Sequence, residues 1–135
     1  LVLAADGSLV AGGSFTQMGG LPANRVARWN GSAWSNLGGG LSSTVRDLCV
    51  RADGALVAAS IDTFVWNGTA WTMLAGNPDY QIVVVPLPNG DLLSGGLVTT
   101  LRRWNGNSWT AIGPGTSGFC NDLMVLPNGD VLVGG

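Results

Sequence analysis

The side chains best suited to chemistry in this sequence are two aspartates, Asp47 and Asp122, which occupy corresponding positions ahead of two turns. Carboxylate oxygens are ligands that hard cations such as Ca²⁺ prefer in proteins. If the strands that carry them line a central channel, the two carboxylates could hold a cation. The equivalent position in the repeat between them is Val83. The alternative is that each aspartate is a solvated strand residue or binds backbone N–H groups.

The chain contains no histidine, which removes Ser-His-Asp and Cys-His nucleophile systems and every histidine-based metal site. A disulfide between its two cysteines, Cys49 and Cys120, would need Cα atoms within about 7 Å of each other. We expect free, buried thiols instead. No carboxylate pair, phosphate loop or thiol–base pair stands out. We therefore predict a protein with no enzymatic activity and no cofactor, and the alternative is an enzyme whose active site needs residues from outside this chain.

The composition indicates a globular chain, because it is 46% hydrophobic and only 10% charged. The net charge is −2 and lysine is absent, so no basic stripe forms and we expect no nucleic acid partner. No apolar run reaches the ~18 residues needed to cross a bilayer, and we expect no membrane insertion. The 22 glycines follow no collagen period and indicate many tight turns.

The elements that must position any site are hairpins, and one kind of hairpin contains all six tryptophans. The motif Trp-Asn-Gly-x-x-Trp begins at Trp29, Trp66 and Trp104. Asn-Gly is the strongest short hairpin signal, because a type I′ turn needs φ > 0 at both central residues. Regular repetition favours tryptophans that pack one hairpin against the next. The alternative is a set of stacking platforms for sugars.

A two-residue Asn-Gly loop would fix the register of these hairpins. It makes the two tryptophans of each motif diagonal neighbours on one face. The directly opposed pairs that this register predicts are Trp29 with Ser32, Ala27 with Trp34, Phe64 with Trp71, and Arg102 with Trp109.

A second kind of hairpin alternates with the first and turns at Asp-Gly or Asn-Gly. Its unbroken apolar runs predict strands buried on both faces, whereas the mixed polar and apolar residues of the Trp hairpins predict strands nearer the rim of a sheet. The predicted inner hairpins are Leu1–Ser14, Val45–Ser60, Gln81–Leu97 and Phe119–Gly135, and the predicted outer hairpins are Arg25–Leu37, Thr63–Leu74 and Thr99–Ile112.

These hairpins divide the chain into units of approximately 1–44, 45–80, 81–118 and a partial 119–135. A repeat of this length with four short strands is typical of a β-propeller blade. We predict an all-β fold of four-stranded antiparallel blades, about three and a half repeats in all, with a β-trefoil as the alternative.

The first unit alone has a long link between its hairpins, over Phe15–Asn24. A long loop on a rigid scaffold is a common place for function. Phe15, Gln17 and Asn24 are therefore candidate ligand contacts. The alternative is a tolerated insertion.

The segments LPNGDLLSGG, LPNGDVLVGG, GGSFTQMGG, NRVARWNG and WNGSAWSNLGGGL resemble the kelch-like β-propeller repeats of large bacterial and fungal surface or secreted proteins. The resemblance covers essentially the whole chain. It implies a location outside the cell or at the cell surface. The regularity of the repeat and the missing catalytic side chains predict a non-enzymatic scaffold or binding module, with an unidentified protein or glycan partner. The alternative function is a carbohydrate-binding lectin. The second unit departs from the pattern, since it has Ala59-Ser60 in place of Gly-Gly and lacks the long link.

The chain begins and ends inside the repeat, whereas a propeller ring has roughly four to eight blades. An incomplete array leaves an unpaired side that invites pairing with another chain. We expect either further blades from a longer chain or a homo-oligomer.

Overall fold

The structure is a computed structural model that describes residues 1–76, 79–97 and 99–135. These residues form strands and turns and no helix, so the all-β prediction is confirmed. Residues 77 and 78 of the predicted unit 45–80, and residue 98 of the predicted unit 81–118, lie outside the described residues. In chain order the strands are β1 (Val2–Leu3), β2 (Leu9–Gly12), β3 (Gln17–Met18), β4 (Leu21–Pro22), β5 (Val26–Trp29), β6 (Trp34–Asn36), β7 (Asp47–Val50), β8 (Leu56–Ala59), β9 (Thr63–Trp66), β10 (Trp71–Met73), β11 (Gln81–Pro86), β12 (Leu92–Gly96), β13 (Leu101–Trp104), β14 (Trp109–Ile112), β15 (Asp122–Val125) and β16 (Val131–Gly134).

The strands pair in three antiparallel sheets of four strands. Sheet 1 has the order β1-β2-β5-β6, sheet 2 the order β7-β8-β9-β10, and sheet 3 the order β11-β12-β13-β14. Strands β15 and β16 form a further pair, which we call hairpin 4. The predicted inner and outer hairpins are confirmed, and each sheet joins one inner hairpin to one outer hairpin.

The register of the outer hairpins differs from the one predicted. Trp29 lies directly opposite Trp34, so the loop between them has four residues and the predicted two-residue loop is wrong. The contacts predicted for Phe64 with Trp71 and for Arg102 with Trp109 are wrong for the same reason. The observed pairs are Trp29 with Trp34, Trp66 with Trp71, Trp104 with Trp109, Ala27 with Asn36, Phe64 with Met73, and Arg102 with Ala111.

The asparagine side chain in the loop accounts for the difference. Oδ1 of Asn30 accepts the N–H of Ser32 at 3.0 Å and the N–H of Ala33 at 2.9 Å. Among the loop residues only Gly31 has a positive φ, at 101°, whereas a type I′ turn requires two such residues. An asparagine that bonds its own turn offers the backbone an alternative, and the other two copies of the motif repeat these hydrogen bonds.

The sheets stack in chain order through their first strands. Strand β1 contacts β7, β7 contacts β11, and β11 contacts β15, and a separate apolar core fills each of these three joints. We call the side of a sheet that packs on the preceding sheet its front face, and the opposite side its back face. The back-face residues are Val2 and Val10 in sheet 1, Cys49 and Val57 in sheet 2, and Val85 and Leu93 in sheet 3. The front-face residues are Leu48 and Leu56 in sheet 2, Val84 and Leu92 in sheet 3, and Leu123 and Val131 in hairpin 4.

Strand β8 shows how both faces of an inner hairpin are used. Leu56 and Ala58 belong to the core shared with sheet 1, whereas Val57 and Ala59 belong to the core shared with sheet 3. All four residues are buried, and so are all five residues of β12. The prediction of strands buried on both faces is confirmed for these two strands and for Val83 and Val84 of β11, which are buried in different cores. It is wrong for the apolar run of hairpin 4, where Met124 on the open back face is 58% exposed.

The second tryptophan of a motif links its sheet to the preceding one. Nε1 of Trp71 donates to the carbonyl oxygen of Leu37 at 3.1 Å, and Nε1 of Trp109 donates to that of Leu74 at 3.3 Å. Both carbonyls belong to the residue that directly follows the last strand of a sheet. The packing interpretation of the tryptophans therefore holds for these two indoles.

Gly38 is a tight point of the same joint. It has a φ of 63°, and a methyl group at its Cα would lie 2.7 Å from Cη2 of Trp66 and overlap Cζ3. Gly113 takes the corresponding place after sheet 3 with the same φ of 63°, and nothing lies within 4 Å of an added methyl group there. Alanine substitutions at the two glycines would share the cost of backbone strain, and only the substitution at Gly38 would add a clash with the next sheet.

We predict that Gly38→Ala destabilises the protein more than Gly113→Ala does. Both substitutions force alanine into the left-handed region, which costs roughly 1–2 kcal/mol. Gly38→Ala should cost about 1–3 kcal/mol more because of the overlap with Trp66. Urea denaturation followed by tryptophan fluorescence measures both free energies of unfolding, and equal losses would contradict the tight joint.

Candidate functional site

The candidate site is a cleft between sheets 1 and 2, at the end of the sheets where the inner hairpins turn. Its volume is about 440 Å³, within the range of small-molecule sites. The polar residues that line it are Asp6, Arg28, Asp53 and Asn67, and Trp66 supplies an aromatic ring. We call it the inter-sheet cleft.

Two turns hold its carboxylates in place. Oδ1 of Asp6 accepts the N–H of Ser8 at 3.0 Å and the hydroxyl of Ser8 at 2.6 Å, which is an Asx turn. Oδ2 of Asp6 forms an ion pair with Arg28 of β5. On the other side of the cleft, Oδ1 of Asp53 accepts the N–H of Ala55 at 3.1 Å, and Oδ2 lies 2.9 Å from the guanidinium of Arg51. Each carboxylate therefore has a fixed direction before any ligand arrives.

Trp66 is held by the joint between the sheets. Its ring centroid lies 5.5 Å from that of Trp71, with the two planes inclined at 53°. The far edge of the ring packs over Gly38, which belongs to the chain after sheet 1. Trp66 remains half-buried, so the rest of its surface is available to the cleft.

The joint between sheets 2 and 3 is built differently at the same repeat positions. The residue before the first tryptophan is Arg28 in sheet 1 but Val65 in sheet 2, and Val65 packs against the apolar core of that joint. Trp104, which corresponds to Trp66, is 8% exposed and belongs to the same core. The polar cleft is therefore a feature of the first joint and not a necessary result of the repeat.

An ion pair like that of Arg28 with Asp6 is found at the turn end of sheet 3, between Arg103 and Asp91. The unit that follows sheet 3 is the two-stranded hairpin 4 and not a four-stranded sheet. Nε of Arg103 donates to Oδ2 of Asp91 at 2.6 Å. Hydrogen bonds from the Asn89 side chain and from Arg103 lower the pKa of Asp91 below its ordinary value. This pair ties β13 to the preceding turn, as Arg28 does for β5.

Asp47 and Asp122, the candidate cation ligands, bind backbone N–H groups. Oδ1 of Asp47 accepts the N–H of Leu48 at 2.8 Å, and Oδ2 accepts the N–H of Val84 at 2.9 Å across the joint to sheet 3. Oδ1 of Asp122 accepts the N–H of Leu123 at 2.9 Å. Strand β11 contacts both β7 and β15, and the two aspartates line different surface depressions. The structure therefore favours the backbone-bonded alternative and does not bring the two carboxylates to one site.

The three candidates in the long link lie in an ordered small hairpin. Strands β3 and β4 pair within it, with Gln17 opposite Pro22, and the N–H of Arg25 closes it by donating to the carbonyl oxygen of Phe15 at 2.8 Å. Nδ2 of Asn24 donates to the carbonyl oxygen of Gly39 at 3.0 Å. Phe15 and Asn24 thus fasten the link to sheet 1, whereas the Gln17 side chain is exposed. None of the three lines the inter-sheet cleft.

The two cysteines are free and buried, as predicted. Cys49 lies in the core between sheets 2 and 3, and Cys120 in the core between sheet 3 and hairpin 4. Burial, with a smaller contribution from the Asp47 charge, raises the pKa of Cys49 to about 12. Burial also raises the pKa of Cys120. Neither thiol is activated for nucleophilic chemistry, because the thiolate is the reactive form.

A second depression, of about 460 Å³, lies where three inner hairpins converge. Its lining is mostly apolar and comes from the residues just ahead of each turn. These residues are Val50, Arg51 and Ala52 in sheet 2, Pro86, Leu87 and Pro88 in sheet 3, and Val125, Leu126 and Pro127 in hairpin 4.

The sequence alone did not indicate the inter-sheet cleft. Asp6 and Asp53 belong to the Asp-Gly turns predicted for the inner hairpins, and Trp66 to the tryptophans predicted to pack one hairpin against the next. The signal that would have indicated a difference between the joints is the residue before the first tryptophan, which is arginine in units 1 and 3 (Arg28 and Arg103) but Val65 in unit 2, since an arginine at a joint needs a partner.

Comparison of the chain with protein-family models, curated proteins and solved structures finds no significant match. Over residues 1–76, 79–97 and 99–135, no helix is long and apolar enough to cross a membrane. In those same ranges, histidine, cysteine, aspartate and glutamate form no group of three or more suited to a metal ion.

We predict that Asp47→Ala is more destabilising than Asp122→Ala. The first substitution leaves two buried N–H groups without their acceptor, those of Leu48 and Val84, and the second leaves only that of Leu123. Each lost acceptor costs about 1–3 kcal/mol. Chemical denaturation with and without calcium measures the difference. A cation site would be supported instead if both substitutions lowered the free energy of unfolding equally, and if calcium stabilised the unsubstituted protein but neither variant.

We predict that stability falls with pH as the unfolded chain loses the Cys49 proton. The ordinary pKa of 9.0 rises to about 12 on folding, so the folded state keeps the proton longer. The stability from the buried neutral thiol is fully present below pH 9 and is lost between pH 9 and 12, by at most about 1.4 kcal/mol per pH unit. Cys49→Ala should flatten this part of the curve, and an unchanged slope in that variant would contradict the prediction.

Proposed function

We propose that this chain is a kelch-like β-propeller segment that acts as a non-enzymatic scaffold or binding module of a secreted or surface protein. The observation that carries the proposal is the stacking of four successive units through their first strands, with corresponding back-face and front-face residues packed together at each of the three joints. Blades of a propeller are four-stranded sheets arranged around a central axis. Consecutive contacts between first strands fit that arrangement.

Two further features support radial blades. The ends of three inner hairpins converge on one apolar depression, as strands around a shared axis would. Strand pairing stays inside each unit, whereas a β-trefoil pairs strands of different repeats in one barrel. The propeller therefore accounts for the pairing better than the trefoil does.

The two ends of the stack expose complementary apolar faces. On the front face of sheet 1, Leu3 and Leu9 pair across β1 and β2 and are 63% and 39% exposed. On the back face of hairpin 4, Met124 and Leu132 pair and are 58% and 54% exposed. In the inner joints the same positions are covered. An exposed apolar patch of this kind indicates an interaction surface.

The partner that fits such a face is another sheet with the same repeat. That sheet belongs either to further blades of a longer chain or to a second copy in a homo-oligomer. The functional partner bound by the assembled module is a protein or a glycan, and the extracellular or cell-surface location follows from the resemblance to kelch-like repeats.

A non-enzymatic role is supported by the chemistry of the polar residues in the inter-sheet cleft. Asp6 and Asp53 both accept hydrogen bonds from their own turns and both pair with arginines. These contacts suit recognition by fixed acceptors better than proton transfer. A carbohydrate-binding lectin remains the second candidate function, and the aromatic ring of Trp66 in the cleft favours it.

We predict that the isolated chain self-associates through its end faces. Leu9→Glu and Leu132→Glu should each reduce the associated fraction in light scattering coupled to size exclusion, because each places a charge on one half of the interface. Met73→Glu is the matched control, since Met73 is 49% exposed on the last strand of sheet 2, away from both faces.

Ring-shaped particles in negative-stain images would support the propeller directly. A chain that stays monomeric at all concentrations, or association that resists both glutamate substitutions, would overturn the proposed end-to-end assembly.

A further inference from the structure

We propose that the inter-sheet cleft binds a neutral oligosaccharide, with Trp66 as the stacking surface and Arg28, Asp6 and Asp53 as the hydroxyl-binding groups. This inference deepens the binding role proposed above and rests on it. It assigns a ligand class to a cleft that the repeat itself does not require.

The position of the cleft makes it independent of how the array continues. It is formed by sheets 1 and 2, both of which have all four strands. The apolar depression at the converging hairpins, by contrast, includes hairpin 4, whose back face is open. A volume of about 440 Å³ is sufficient for a short sugar chain.

The hydrogen-bond donors and acceptors that line the cleft suit a ligand with hydroxyl groups better than a ligand with one charged group. A hydroxyl both donates and accepts hydrogen bonds. The Arg28 guanidinium supplies donors in a planar fork, and the Asp6 and Asp53 carboxylates supply acceptors on opposite sides of the cleft. Vicinal hydroxyls of a sugar can use both kinds of group at once, and the apolar face of the sugar ring can pack on Trp66.

The charges of the lining argue against ionic ligands. Asp6 is paired with Arg28 and Asp53 with Arg51, so the carboxylates and guanidinium groups balance and leave no unpaired cation to attract phosphate, sulfate or carboxylate groups. A cation would compete with Arg28 for Asp6 and with Arg51 for Asp53. A neutral ligand keeps both ion pairs intact.

The groups are already oriented for binding. Asp6 is held by Ser8 and Arg28, and Asp53 is held by the N–H of Ala55 and by Arg51. Trp66 is fixed between Trp71 and Gly38. Side chains that are ordered before binding lose little conformational entropy when the ligand arrives.

The contrast between the first two joints supports a dedicated site. Val65 and Trp104 close the equivalent place between sheets 2 and 3 with apolar packing, which is the more stable choice for a joint. At the first joint, Arg28 and the half-buried Trp66 leave a polar opening instead. Arg28 and Arg103 occupy the same repeat position, and Val65 replaces arginine there in sheet 2. Of the two joints between four-stranded sheets, the first therefore keeps the arginine and the polar opening, and the second is closed by Val65.

Titration of the ¹⁵N-labelled chain tests the proposal through its six tryptophan indole signals. The probes are neutral trisaccharides of glucose, galactose, mannose and N-acetylglucosamine, with a sialylated trisaccharide as the acidic comparison. We expect at least one neutral probe to shift the Trp66 signal in a saturable way. Trp66→Phe and Arg28→Gln should each weaken binding about tenfold, equal to ~1.4 kcal/mol.

Trp29→Phe is the matched control, because Trp29 has the same place in the motif but does not line the cleft. It should leave the Kd of the bound trisaccharide unchanged. The proposal is overturned if no neutral probe shifts the Trp66 signal at concentrations up to ~10 mM, if the acidic probe binds more tightly, or if the control weakens binding as much as Trp66→Phe. If the chain self-associates through its end faces but none of the neutral probes binds, the proposed saccharide site is wrong and the proposed scaffold role is unaffected.

Discussion

The structure depends on one constraint, which is that a four-stranded sheet with apolar residues on both faces cannot bury them by itself. Strand β8 contributes alternate residues to two different cores, so removal of either neighbouring sheet would expose half of it. Burial of apolar surface is the main favourable term in folding. The sheets are therefore stable as a stack and not singly, and the open faces at Leu9 and Leu132 are where the same requirement is unmet.

The tryptophans fix how far apart neighbouring sheets lie when they bury their apolar faces against each other. Apolar burial has no direction, but a buried indole N–H needs one acceptor at hydrogen-bond distance. Trp71 and Trp109 each find it in the carbonyl at the end of the preceding sheet. Asp47 acts similarly near the first strands, since it accepts the N–H of Val84 from the next sheet. The joint between sheets 1 and 2 and the joint between sheets 2 and 3 thus combine an apolar core with polar links at defined positions, which holds these sheets in one arrangement.

The sequence was sufficient for the hairpins and for the assignment of inner and outer strands, because both depend on patterns within a few residues. The apolar run of β11 predicted burial on both faces correctly at Val83 and Val84, whereas Met124 in the apolar run of β15 is exposed because the back face of hairpin 4 is open. The register at Trp29 was wrong because the Asn30 side chain competes with the type I′ turn, and dipeptide preference contains no information on that competition. The inter-sheet cleft was missed because Arg28 and Asp53 belong to different units and meet only when the sheets stack.

A repeat protein is constrained most strongly at the positions that every unit shares, and these are occupied here by packing residues. The residue before the first tryptophan is not shared by every unit, since it is arginine in sheets 1 and 3 (Arg28 and Arg103) and Val65 in sheet 2. At the joint between sheets 2 and 3, Val65 and Trp104 fill the corresponding place with apolar packing. Arg28 at the first joint keeps a guanidinium beside an apolar core, and it is tolerated because Asp6 pairs with it at the rim. The cleft that results has donors, acceptors and an aromatic ring in fixed positions, and these groups support the recognition site proposed for this joint.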